Sequence, residues 1–93
     1  MNHVRSQQLL WWIAWRIKRL REERGVSQEM MYMDTQIHVA RIETAKVNIT
    51  LSTLEVICRY FGISLSEFFQ GLCEEEYLDM KPPVSRFKSK KQQ

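Results

Sequence analysis

The stretch SQEMMYMDTQIHVARIE, residues 27–43, decides how this chain folds. Ser27 is a fit N-cap, because its hydroxyl can accept from a free amide of the turn that follows, so a helix is predicted over 28–35. A second helix is predicted over 37–45, with Val39 and Ile42 three apart and facing inward. Only Gln36 separates the two, at a tight corner where glycine is the ordinary choice. Either the second helix presents its outer face to something, or the pair is simply a packed corner of a small core.

The flanking sequence supplies that core. Leu10, Ile13, Ile17 and Leu20 fall at spacings of three, four and three, which is one helical face, and Gly25 closes that helix. Thr50 caps a helix over 51–61 with Leu51, Leu54, Ile57 and Phe61 as its inward stripe and Gly62 after it. Ser64 and Glu67 form a capping box, SLSE, opening a fifth helix with Leu65, Phe68 and Phe69. No segment alternates like an amphipathic strand. The expectation is an all-α fold: a compact domain of five short helices with an extended first helix and a flexible C-terminal tail.

Length and composition agree. A chain of 93 residues with Gly 3 and Pro 2 is one domain with few turns. Cys58 and Cys73 make no CxxC pair and no disulfide framework, which suits a reducing cytoplasm, and Cys58 falls in a core stripe as a small hydrophobe. The apolar run LLWWIAW, residues 9–15, is too short to span a bilayer and carries no small-residue cleavage site, so no membrane span or signal peptide is expected. The net charge of +3 permits a nucleic-acid partner without demanding one. Residues 74–80, EEEYLDM, hold four acids, and residues 81–93, KPPVSRFKSKKQQ, hold five bases. Pro82 and Pro83 stop any helix, and 81–93 reads as a flexible basic tail, either solubilising or touching an acidic or phosphate-bearing partner.

Three pieces in order carry a resemblance: RIKRLREERGVSQE, RIETAKVNIT and LSTLEVICRYFGISLSEFF. The chain over residues 13–69 resembles the phage repressor/Cro-like (XRE-like) helix-turn-helix family. The resemblance implies a repressor-like helix-turn-helix DNA-binding domain over 13–70, preceded by a Trp-rich extension of helix 1 over 1–12 and followed by an acidic segment and tail over 71–93. It implies a transcriptional regulator that binds double-stranded DNA, usually as a homodimer.

The residues that would do this can be assigned one by one. His38, Arg41 and Ala45 share the face opposite Val39 and Ile42, and a recognition helix needs polar groups on that face. Arg41 can reach a guanine or a phosphate, and Thr35, Gln36 and His38 sit near the groove-facing end. The resemblance places Gln28 at a phosphate, helped by the positive helix end, and Lys46 and Asn48 in a loop that touches the DNA backbone. Arg41 has a bland alternative as a surface ion-pair partner, and Glu43 is read as structural, paired with Arg21. Between SQE and RIE the chain is about three residues shorter than the family pattern, a loss placed at the turn and the first turn of the recognition helix. Gln36 and Ala45 stand where the family has glycine; if those corners need positive φ, each costs ~1 kcal/mol.

Trp11, Trp12 and Trp15 lie opposite the core face of the first helix on a helical wheel, flanked by Lys18 and Arg19. Three covers compete: the chain's own Tyr77, Leu78 or Phe87; a second copy in a homodimer; or another protein or a membrane surface. The homodimer is the reading adopted. His3, His38, Cys58 and Cys73 are too scattered for a metal site, and Met30, Met31 and Met33 read as core or its edge. No nucleophile-base arrangement, phosphate-binding glycine loop or carboxylate pair suggests an enzyme, and no cofactor is implied. Two classes stay open: a sequence-specific DNA-binding regulator, or an adaptor-like or antitoxin-like protein-interaction module that keeps the fold without base reading.

Overall fold

Four hydroxyl side chains open four of the helices. In the computed structural model, which describes residues 5–79, Ser6 accepts from the Leu9 amide at 3.4 Å, Ser27 from Met30 at 2.9 Å, Thr50 from Thr53 at 3.0 Å and Ser64 from Glu67 at 3.0 Å. Glu67 completes the capping box by accepting the Ser64 amide at 2.8 Å. The elements are α1 (Gln7–Arg24), α2 (Gln28–Thr35), α3 (Val39–Glu43), α4 (Leu51–Phe61), α5 (Leu65–Phe68) and α6 (Glu74–Tyr77). Among the described residues there is no strand, and no helix is long and apolar enough to cross a membrane. The tail over 81–93, with Phe87, and His3 lie outside the described residues.

The five expected helices are present, and a single-turn α6 follows where only an acidic segment was expected. α3 is shorter than its predicted span of 37–45. Gln36 ends α2 in the left-handed region at φ 67, and Thr35 Oγ1 accepts the Ile37 amide at 3.0 Å, so Ile37 and His38 serve the turn rather than the helix. Ala45, at φ 61, breaks the helical path at the other end.

α1 runs through the middle of the molecule. Its Ile13, Ile17 and Leu20 meet Met31 of α2, Val39 and Ile42 of α3, Leu54, Ile57, Cys58 and Phe61 of α4, and Phe68 of α5. Each such fully buried side chain contributes about 1.5–3 kcal/mol relative to exposure. Burial also pushes the Cys58 thiol pKa up, with Glu55 adding to the shift. Arginines of α1 finish the other helices: Arg16 donates to the carbonyls of Phe68 (2.8 Å) and Glu67 (3.0 Å), and Arg24 to that of Phe61 (2.5 Å). Such carbonyls lie in the last turn, where helical amide partners run out, and the guanidinium groups add donors there; the Glu67 carbonyl also accepts the Gln70 amide at 3.2 Å.

Two expectations about burial are corrected. Trp12 is not on an exposed face: it is only 4% exposed, stacked on Phe69 with ring centroids 5.9 Å apart and edge-on to Phe68. The helical wheel assumed one buried face, but α5 and the chain after it form a second wall, and Tyr77 packs against the same core. Trp11 is half-buried against Leu10, Ala14 and Ala45, which leaves Trp15, 46% exposed, as the outward ring. Leu51, expected in the core, is 76% exposed, because it sits a turn before Leu54 and overhangs the edge of the core. Of the three methionines, Met31 is buried while Met30 and Met33 are exposed.

Candidate nucleic-acid interface

α3 is held from its inner side by a polar knot. Arg21 of α1 donates through Nε to Glu43 Oε2 at 2.6 Å and through Nη2 to Oε1 at 3.0 Å, a two-pronged pair. Its Nη1 also donates to the Val26 carbonyl at 2.9 Å. Gln28 Nε2 donates to Glu43 Oε1 at 2.9 Å. One carboxylate thus ties the end of α3 to α1 and to the start of α2. Both side chains of the ion pair are largely buried, and the bond to Glu43 raises the Arg21 pKa against the opposing effect of burial. The pairing of Glu43 with Arg21 is as expected. Gln28, expected at a phosphate, turns one N–H inward to Glu43 and keeps its second amide N–H and its carbonyl oxygen.

The turn between α2 and α3 is closed locally. Thr35 Oγ1 donates to the Met31 carbonyl at 2.7 Å while accepting from Ile37, so this hydroxyl is committed to the turn. The Gln36 amide donates to the Tyr32 carbonyl at 2.7 Å. His38 stands at the start of α3, its ring 4.6 Å from that of Tyr32. Tyr60 of α4 donates its hydroxyl to Asp34 at 2.6 Å, tying α2 to α4 behind the turn.

The outer side is open. Gln36, His38, Arg41 and Asn48 line one shallow cleft of about 340 Å³, with Ile37, Val47 and Thr53 in its walls. All four of these candidate side chains are exposed. Among the described residues the Arg41 guanidinium makes no hydrogen bond or ion pair, so the surface-pair alternative finds no acid. Lys46 is exposed just beyond the cleft, next to the left-handed Ala45. The cleft therefore groups donors of different reach, two from the turn and the start of α3, one from α3 itself and one from the following loop. Donors so arranged suit phosphate oxygens and base edges.

Two residues of this region were missed from the sequence. Arg5 Nη1 donates to the Lys46 carbonyl at 2.9 Å, and Gln7 Nε2 to the Ala45 carbonyl at 2.7 Å. They lie about 40 residues earlier and before the stretch that carries the family resemblance, so no local pattern linked them to the loop. Among the described residues no group of three His, Cys, Asp or Glu side chains could hold a metal ion.

A family model described as Helix-turn-helix matches residues 17–68, more than half of the chain, from the centre of α1 to the end of α5. No curated protein and no solved structure matches the chain.

Proposed function

This chain belongs to the XRE-like helix-turn-helix family of DNA-binding transcriptional regulators, and from that premise we propose that it reads a two-fold operator as a homodimer. One observation carries the reading: the four exposed side chains of Gln36, His38, Arg41 and Asn48 share a cleft on the outer side of a helix whose inner side is pinned by Glu43. A rigidly held helix with an uncommitted arginine on its outer face is what major-groove reading requires. In this reading Arg41 contacts a guanine edge, with His38 and Gln36 beside it. Gln28, Lys46 and Asn48 contact phosphates and set the register. Thr35 shapes the turn rather than touching DNA.

Trp15 is the dimer anchor in this proposal. Its exposed ring carries the Arg19 guanidinium at 5.4 Å, and Trp and Arg are enriched among the energetically dominant residues of interfaces. Sedimentation of Trp15→Glu should show monomer mass where the parent shows dimer; an unchanged mass would move the contact elsewhere.

The deciding experiment is selection from a random duplex DNA pool at about 0.15 M salt, where exposed charges are screened as in cells. An enriched palindrome is expected, its half-site spacing reporting the dimer geometry. Absence of enrichment by the folded protein would sink base reading. With the motif in hand, Arg41→Ala should relax one base position by ~1–3 kcal/mol, while Lys46→Ala weakens all sequences alike. A uniform loss from Arg41→Ala would reassign that side chain to a phosphate.

A further inference from the structure

Ala45 is an unfavourable residue for its conformation. At φ 61 it bears a Cβ in the left-handed region, and it is 1% exposed. Such a backbone persists only where its surroundings over-determine it. Here they do so from the start of the chain. Gln7 Nε2 holds the Ala45 carbonyl at 2.7 Å and Arg5 Nη1 holds the next carbonyl, that of Lys46, at 2.9 Å. Leu10 and Ala14, from the next turns of α1, enclose the Ala45 methyl. Thr44 Oγ1 accepts the Lys46 amide at 3.2 Å. Two successive carbonyls are thus fastened to residues that lie outside the family-matched segment 17–68.

We propose that Gln7, with Arg5 beside it, is a positioning residue for the loop after α3: the N-terminal end of α1 braces the backbone at Ala45 and Lys46 so that the Lys46 ammonium meets a DNA phosphate without further ordering. The proposal rests on the DNA-binding reading above. Its physical basis is preorganisation, because a loop already fixed loses less conformational freedom on binding. The brace also sets charge. Arg5 is exposed and uses one of its N–H donors on the Lys46 carbonyl, which draws a second cation to the residue that carries the lysine. A phosphate approaching this loop meets two positive side chains on a fixed piece of backbone.

Gln7→Met keeps the side-chain length and removes the donor. Amide hydrogen exchange at Lys46 should accelerate several-fold while the thermal midpoint stays close to the parent's. Affinity for a short mixed-sequence duplex should fall several-fold, and the slope of log affinity against log salt should shrink by about one, as for loss of a phosphate contact. In a Lys46→Ala background the same substitution should cost no further affinity. Unchanged exchange at Lys46 overturns the proposal, and so does a loss that adds fully to that of Lys46→Ala, which would make Gln7 a general stabilising residue. Arg5→Ala, at an exposed position, repeats the exchange measurement with no demand on folding, and unchanged protection there removes Arg5 from the brace. A parent protein with no salt-dependent DNA binding would overturn the functional reading instead, while exchange at Lys46 still decides whether Gln7 holds the loop.

Discussion

α3 is flanked by two left-handed corners built without glycine, Gln36 at φ 67 and Ala45 at φ 61, and the two are stabilised in different ways. The Gln36 corner faces solvent and is closed by its neighbours: Tyr32 accepts its amide, Thr35 bridges its turn, and Tyr60 ties α2 to α4 behind it. The Ala45 corner is buried and is closed from a distance. Its methyl packs on Leu10 and Ala14, its carbonyl is held by Gln7, and the Arg21–Glu43–Gln28 knot lies just before it. A strained backbone costs the same at both places, but only at Ala45 does the Cβ return something by being buried. The same missing glycine should therefore be unfavourable at the surface corner and nearly neutral at the buried one.

The largest test removes the knot. Glu43→Ala leaves the Arg21 and Gln28 donors without their acceptor in a largely buried site, and should lower the unfolding free energy by about 3 kcal/mol in urea titration. A loss under roughly 1 kcal/mol, the upper end of what a surface pair ordinarily contributes, would mean that α3 is held by packing alone. Next comes the exposed corner. Gln36→Gly should stabilise by about 0.5–1 kcal/mol, the relief of left-handed strain less the extra freedom of glycine in the unfolded chain. Ala45→Gly gains the same backbone relief but gives up a buried methyl worth about 0.8 kcal/mol, so its net change should be near zero. Equal gains at both corners would break the comparison.

The smallest effect concerns the tie behind the Gln36 corner. The hydrogen bond to Asp34, with burial and the carboxylate charge adding, pushes the Tyr60 phenol above its ordinary value of 10.0. A group whose pKa is raised by folding contributes in full below its unfolded value and loses that contribution as pH rises through the folded one. The thermal midpoint should therefore decline as pH rises from the ordinary tyrosine value of 10.0 through the raised folded one, more in the parent than in Tyr60→Phe. Parallel curves for the two would show that the Asp34 contact does not stabilise α2 against α4.

Much of this molecule is legible one residue at a time. Ser27, Thr50 and Ser64 mark helix starts, Gly25 and Gly62 mark helix ends, and the stripes of Ile13, Ile17, Leu54, Ile57 and Phe61 mark the core. Caps and periodicity are satisfied within a turn or two of backbone, so local sequence suffices to specify them. Gln36, His38, Arg41 and Asn48 become candidates, and Glu43 a partner for Arg21, through a resemblance carried by three ordered motif pieces; the structure forms the Arg21–Glu43 pair and puts the four candidates around one cleft.

What only the tertiary structure decided depends on partners far along the chain. Trp12 and Trp15 are indistinguishable as residues on an amphipathic wheel. One is buried and the other exposed because Phe68 and Phe69, more than fifty positions later, supply a second wall to α1. Leu51 fits the stripe of α4 but lies past the edge of the core it was meant to join. Gln28, expected at a phosphate, gives one N–H to Glu43, and Thr35, expected near the groove-facing end, gives its hydroxyl to the turn. Gln7 and Arg5 reach a loop whose carbonyls no local pattern advertises. Periodicity tells which face of a helix is apolar, but only the packed neighbours determine how many faces are covered and which polar groups are left over.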